Sequence, residues 1–347
     1  MPGPHPSTAK IRYAVRAALA DLPPVLFSPI PPKSTDTPVH NPGIGEKSTD
    51  APLVLVACSG GGDSMALAEA VAHEARHAVW RAGAVVVDHA LQPGSDVVAS
   101  RAAGWLTELG LDPVVVERVA VSDRGSGLEA AARDARYAAL SRVADQSGAA
   151  VVLLGHTLDD QAEQVLLGLV RGSGARSLAG MAAVRGTYRR PLLGVSRAEC
   201  RESLRAEEVP WWDDPMNDDP SFTRVRARRA VADLEADLGP GVVAALGRSA
   251  AQLREDADHL DVLADEAVGV LGAGPWDVGA LTNLPRAVRT RAWRRLLVAA
   301  GAPAGQVSTR HTEACDALLT NWHGQGPIHV PGALRVTRRD DRVTVSS

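Results

Sequence analysis

The chain has 347 residues, enough for two domains, and is 45% hydrophobic and 22% charged, an ordinary composition for a globular protein. No apolar run approaches the roughly 18–20 residues of a membrane span. The start, Met1-Pro2-Gly3-Pro4-His5-Pro6, leads into a short amphipathic stretch with Arg12 and Arg16 and lacks a signal peptide's apolar core, so the expected location is the cytoplasm. The net charge of −4 excludes a strongly basic nucleic-acid binder. Residues 1–223 carry 21 basic and 27 acidic side chains, and residues 224–347 carry 16 and 14, so any RNA must be held by local patches.

Lysine occurs only at positions 10, 33 and 47, against 34 arginines, so a single arginine says less about recognition than it usually would. Cys58, Cys200 and Cys315 lie far apart without a Cys-x-x-Cys pair, which points to buried, unbridged thiols. In chain order, residues 7–20 predict a short helix within an N-terminal segment 1–20. Residues 21–50 hold seven of the 23 prolines and read as a loop or disordered insertion. From residue 51 apolar strands alternate with helices. Leu53–Cys58 is a strand, followed by a Gly-rich turn and a helix from Ser64. Gly83–Asp88 is the second strand, and 96–110 a helix. Asp112–Val119 is the third strand, and 126–147 a long helix. Ala149–Leu154 is the fourth strand, leading to a helix from Asp159. This alternation predicts an α/β fold with a doubly wound parallel sheet over 51–223, whose ligands bind at the carboxyl ends of strands.

Beyond residue 224 the alternation stops. Residues 224–241 read as an Arg-rich linker, and 242–347 as a second, smaller, mostly helical domain. Its helices are expected at 242–271 and 285–300, with short strands at Ile328–Val330, Leu334–Thr337 and Arg342–Val345.

The string Ser59-Gly60-Gly61-Gly62-Asp63-Ser64 lies between a strand and a helix start. Such a turn aims backbone N–H groups and the positive end of the helix dipole at an anion. The serines can add donors, and Asp63 can hold a phosphate-bridging metal. With Asp63 as a mere N-cap the turn would be structural. A Walker loop is excluded, because no lysine follows Lys47, and Met65 breaks a dinucleotide fingerprint. A lysine-free loop suits attack at the α-phosphate with pyrophosphate leaving. Gly155-His156-Thr157-Leu158-Asp159-Asp160-Gln161-Ala162-Glu163 follows the fourth strand. One aspartate there can cap the helix. The other carboxylate and His156, a side chain that titrates near neutrality, are left for metal or proton chemistry. Glu129, Arg133 and Arg136 share one helical face, either as a solvated ion pair or as a phosphate contact. His89 closes the second strand.

Ser59–Ser64 matches the loop of the PP-loop ATP pyrophosphatase superfamily. Together with His89–Leu91, Glu129–Tyr137, Gly155–Glu163, Arg171–Gly174, Arg190–Leu193 and Asp214–Asn217, it resembles the tRNA(Ile)-lysidine synthase family in its compact form, over about residues 51–300. Ala90 stands for the family's glycine, Thr157 for a second histidine and Val225 for an asparagine.

The resemblance implies ligation of L-lysine to C2 of the wobble cytidine, position 34, of a tRNA(Ile) with a CAU anticodon. ATP first adenylates O2, and the ε-amine then displaces AMP. It implies ATP binding by Ser59, Gly60, Gly61, Gly62, Asp63, Ser64 and His89. Mg²⁺ falls to Asp63 and Asp160, and catalysis to Asp63, Arg133, Arg136, His156 and Asp160. Candidate tRNA contacts are Arg190, Arg197, Arg201, Arg205, Arg224, Arg226, Arg228, Arg289 and Arg294, each of which also reads as a solvated helix face. Trp211 and Trp212 read as packing residues. A tRNA thiolase, a small-molecule amidating synthetase and a catalytically silent RNA- or nucleotide-binding protein are the alternatives, and a homodimer is an open state of assembly.

Overall fold

The computed structural model describes residues 3–22, 51–90, 92–121, 127–172 and 174–347. Most of the Pro-rich segment 21–50, Leu91 and Ser173 lie outside the described residues. The chain divides into two compact units, 1–250 and 251–347.

In the first unit helix α1 (Pro6–Ala18) precedes the alternating segment β1 (Leu53–Cys58), α2 (Gly62–Ala75), β2 (Arg81–Asp88), α3 (Ser95–Glu108), β3 (Val114–Arg118), α4 (Leu128–Ser147), β4 (Ala149–Leu154) and α5 (Leu158–Val170). A short helix, α6 (Ala175–Leu178), and the hairpin β5 (Val184–Arg185)–β6 (Tyr188–Arg189) lead to α7 (Arg197–Ala206). The sheet order is β3-β2-β1-β4-β6-β5, parallel throughout except for β5. The predicted doubly wound sheet is therefore present, with its strands placed within one or two residues of expectation.

Side chains alternate across a strand, so β1 feeds two cores. Val54, Val56 and Cys58 pack with α2, α3 and α1, whereas Leu53, Leu55 and Ala57 pack with Leu140, Val143 and Ala144 of α4. With both faces covered, the strand must be apolar at every position, which is why Leu53–Cys58 shows no polar alternation. The carboxyl ends of β1, β2 and β4 consequently emerge together, carrying Ser59, His89 and His156.

The segment expected to be an Arg-rich linker is instead helix α8 (Thr223–Leu238), packed on α5 within the first unit. Helix α9 (Val242–Leu271) has the expected span, and the division between units falls inside it.

The second unit adds β7 (Trp276–Asp277), α10 (Val278–Thr282), α11 (Arg286–Ala299), α12 (Thr309–Thr320), β8 (Ile328–Val330), β9 (Leu334–Arg339) and β10 (Arg342–Ser346). Its antiparallel sheet, β7-β10-β9-β8, and the helices share a core around the fully buried Trp293.

Helix α1 belongs to the first core. Ile11 and Val15 are fully buried, and Arg12 Nη2 lies 2.5 Å from Glu69 and 2.9 Å from Glu207. Burial works against the Glu69 carboxylate and raises its pKa, so the carboxylate depends on Arg12 for compensation. Truncating Arg12→Ala leaves that buried charge unpaired. It is expected to cost about 3–5 kcal/mol, read as a lower midpoint in urea unfolding.

Candidate active site

The phosphate loop is shaped by its own hydroxyls and by a covering segment. Gly60 has φ +81°, a left-handed conformation that glycine adopts without strain. Ser64 Oγ donates to Gly61 O at 2.9 Å and accepts from Ser59 N at 3.2 Å. Ser64 was expected to offer its hydroxyl to phosphate. Here it closes the turn. The open donors are the first-turn N–H groups of α2, which have no intrahelical acceptor. Trp212 N donates to Gly60 O at 2.8 Å, and Trp211 packs over Gly62 and the core. Gly155 meets the loop from β4: a Cβ there would lie 3.1 Å from Ser64 Cα and 3.2 Å from Asp63 O, so no side chain fits without moving the loop.

Four carboxylates from two helices converge on one guanidinium. Arg197 Nε lies 3.3 Å from Asp63, Nη2 lies 3.2 Å from Asp160 and 3.4 Å from Glu163, and Nη1 lies 4.0 Å from Asp159. The main-chain N of Arg197 also donates to Asp159 Oδ2 at 2.8 Å. Arg197 stands here because Ser196 and Glu199 form a capping box that starts α7 at this point. Thr157 and Asp160 form a second capping box at the start of α5. Asp160 therefore uses Oδ2 on Thr157 and turns Oδ1 to Arg197. Asp63 Oδ1 is buried without a hydrogen-bond partner. Burial, opposed by Arg197 and reinforced by Asp160 and Asp159, pushes the Asp63 carboxyl up to about 6. Beside this cluster opens a cleft of about 300 Å³, lined by Asp160, Glu163, Asn217, Phe222, Arg224 and Arg228.

A cationic group lies on the other side. Arg136 has no carboxylate partner among the described residues, and it acts electrostatically on Cys58, His89 and His156, at the ends of β1, β2 and β4. Arg133 and Arg190 add to it, both bonded to Tyr137 Oη at 3.3 Å. Burial first, and these cations next, depress the His156 imidazole to about 3, even though Asp160 opposes the shift. Burial and Arg136 lower His89 as well. The expectation of a histidine titrating near neutrality does not describe His156, which stays neutral at pH 7. Its Nδ1 and that of His89 are buried and unpartnered. Ala90, in place of the family's glycine, adopts φ +51° and is held by Asp88 Oδ1 through Ala90 N at 2.9 Å.

Sequence reasoning placed Asp63, His156 and Asp160 in motifs at strand ends and Arg133 and Arg136 on one helical face, and the structure brings the arginines to the same end of the sheet. The arginines proposed for RNA divide differently. Arg190 is buried and donates to Ala182 O, Arg197 belongs to the carboxylate cluster, and Arg289 is buried on Asp316 at 2.5 and 3.1 Å. Their expected place on an exposed RNA-facing surface is corrected by that burial. Arg294 is bonded to the carbonyls of Val307 and Ala304, and Arg226 to those of Pro220 and Ser221. Arg201 pairs with Asp213, Arg224 with Glu129 and Arg228 with Glu163, while Arg205 stacks over Trp211. Sequence reasoning read Arg197 only as a tRNA contact, not as a partner of the carboxylates, and did not single out Glu163. The Ser196-x-x-Glu199 capping signature was the available signal for the first.

Residues 39–235 match the PP-loop domain family and residues 277–344 the TilS substrate binding domain family. The tRNA(Ile)-lysidine synthase of Streptomyces coelicolor is 52% identical over 99% of both chains, and that of Thermobifida fusca 49% identical over 100% of both. The enzyme of that name from Mycobacterium bovis is 46% identical over 82% of this chain and 86% of its own. Among solved structures, the U34-tRNA thiolase NcsA of Methanococcus maripaludis, with its [4Fe-4S] cluster, superposes with a TM-score of 0.53 at 17% identity. The match covers 72% of this chain and 80% of that one, a likeness of fold alone.

The raised Asp63 pKa fixes a pH dependence. Its stabilising contribution is fully present below the unfolded value of 3.8 and is lost as pH rises through about 6. Asp63→Asn removes the titration, whereas His156 contributes equally to both proteins. In metal-free buffer the variant should therefore gain stability relative to the parent between pH 4 and 7, on the order of 2 kcal/mol, in paired denaturation curves. A constant difference across that range would contradict the assignment.

Proposed function

The chain belongs to the tRNA(Ile)-lysidine synthase family, and from that premise we propose that it joins L-lysine to C2 of the wobble cytidine of tRNA(Ile) bearing CAU, using ATP, in the cytoplasm. The observation that carries the chemistry is Arg136, which has no carboxylate partner among the described residues and acts on Cys58 before the phosphate loop, a preorganised cation where an α-phosphate gains charge.

The cytosine O2 attacks the α-phosphorus, and pyrophosphate leaves. The ε-amine of lysine then attacks C2, and AMP leaves with the oxygen. A carbonyl oxygen cannot depart as oxide, so adenylation is what makes the second step possible. The N–H groups at the start of α2 cradle the triphosphate. Arg136, with Arg133 and Arg190, faces the developing charge. His156 and His89, both neutral, present unpartnered Nδ1 atoms to the nucleotide or base.

The donor set fits Mg²⁺. Asp63 Oδ1 is an orphaned hard oxygen, and Asp160 Oδ1 bonds Arg197 among the described residues. Mg²⁺ takes one or two carboxylates together with phosphates and water, so the pair suffices although no group of three or more metal-ligating side chains occurs among the described residues. Mg²⁺ when bound would neutralise charge on the departing pyrophosphate. L-lysine, an amphoteric ligand with a cationic tail, suits the cleft in which Glu163 and Asp160 face Arg224 and Arg228.

The decisive measurement is pyrophosphate release from ATP with L-lysine, with and without tRNA(Ile). Release that requires this tRNA, with labelled lysine becoming RNA-bound, is expected, and release without RNA would redirect the assignment to a small-molecule synthetase. Arg136→Ala should lower kcat by about 10²–10³-fold, with the ATP dissociation constant changed far less. Glu163→Gln should raise the lysine KM by about tenfold or more while leaving ATP affinity in place.

A further inference from the structure

A second cleft, of about 560 Å³, runs between α4 and the β5–β6 hairpin. Arg133, Tyr137 and Ser141 line one wall at i, i+4 and i+8, a single helical face about 12 Å long. Arg185, Thr187 and Tyr188 line the other. Arg133 belongs also to the cationic group around His156, so the cleft shares a wall residue with the proposed reaction centre.

Its chemistry is distinctive. Tyr137 and Tyr188 meet edge to face, with ring centroids 5.1 Å apart, and the Arg133 guanidinium lies 5.0 Å from the Tyr137 ring centre. Tyr188 Oη and Ser141 Oγ are 2.7 Å apart, which fixes the Tyr188 ring. Arg185 is exposed and has no carboxylate partner among the described residues. It adds to the positive field at Arg133, to which Arg224 and Arg190 also contribute. The one acid in the lining is Asp134, exposed at the rim. Val184, also on the hairpin, is 60% exposed.

We propose that this cleft seats a nucleotide of the RNA substrate adjacent to the target cytidine, with Arg185 on its phosphate and the tyrosine pair against its base. The inference rests on the function proposed above. Single-stranded RNA is held by stacking on aromatic rings together with arginine contacts to the backbone, and Ser141 and Thr187 supply hydroxyl partners for the ribose. The volume lies within the range for a small-molecule ligand. A nucleotide could also come from ATP. Geometry favours RNA, because the cleft leads away from the phosphate loop along α4, whereas a target base that reaches Arg133 must bring its neighbour with it.

The test compares the full-length parent with Arg185→Ala and Arg185→Glu, both on an exposed hairpin. Binding of tRNA(Ile) is measured across a salt series, and ATP binding separately. Arg185→Glu should weaken tRNA at least tenfold at low salt. Arg185→Ala should lower the slope of log Kd against log salt by about 0.7–1. ATP affinity should stay within twofold in both. Unchanged tRNA affinity and slope overturn the proposal, as does loss of ATP affinity with tRNA binding retained. Failure of the parent itself to bind this tRNA would overturn the underlying function, and the cleft assignment with it.

Discussion

Arg197 and the carboxylates around it set the charge layout at the carboxyl end of the sheet. Asp63 arrives on α2, Asp159, Asp160 and Glu163 on α5, and the arginine that balances them on α7. Four acids gathered this closely repel one another, and a half-buried guanidinium among them removes most of that cost. Burial still drives Asp63 upward, so the compensation is incomplete. The incomplete balance leaves Asp63 Oδ1 buried without a hydrogen-bond partner among the described residues.

The cationic half shows the same logic with opposite sign. Arg133, Arg136 and Arg190 crowd together with two neutral histidines, and Arg136 has no acidic partner among the described residues. Such a group sits on a packed core. Strand β1 is packed on both faces, and α1 is locked beneath α2 and α7 by Ile11, Val15 and the Arg12 ion pairs. The phosphate loop touches both groups, since Cys58 before it feels Arg136 and Asp63 within it pairs with Arg197. Ala90 adopts a left-handed conformation here, and Gly155 permits a close approach to the phosphate loop.

The abundance of arginine is a composition property that the fold turns to structural use. On α11, Arg286, Arg289, Arg291 and Arg295 pair with Glu313, Asp316, Asp261 and Asp265, and Arg294 ties down loop carbonyls. An Arg-rich helix that looks like an RNA-binding face in sequence is thus largely an internal fastening. Arg185, the first of the six arginines in the Arg-rich stretch 185–205, is exposed on the hairpin and has no carboxylate partner among the described residues.

The sequence by itself determined the strand–helix alternation, the position of the phosphate loop and the strand-end residues His89, His156, Asp159 and Asp160. Those features depend on local periodicity and on the rule that ligands meet parallel sheets at strand ends. Only the tertiary structure decided what each charge faces. Arg197 lies 134 positions from Asp63, and no local pattern reports their meeting. It likewise decided that most of residues 224–241 belong to the packed helix α8, that Ser64 spends its hydroxyl on the loop, and that His156 is neutral. A pKa follows from burial and from charges distant in sequence, and the chain brings those together only when it folds.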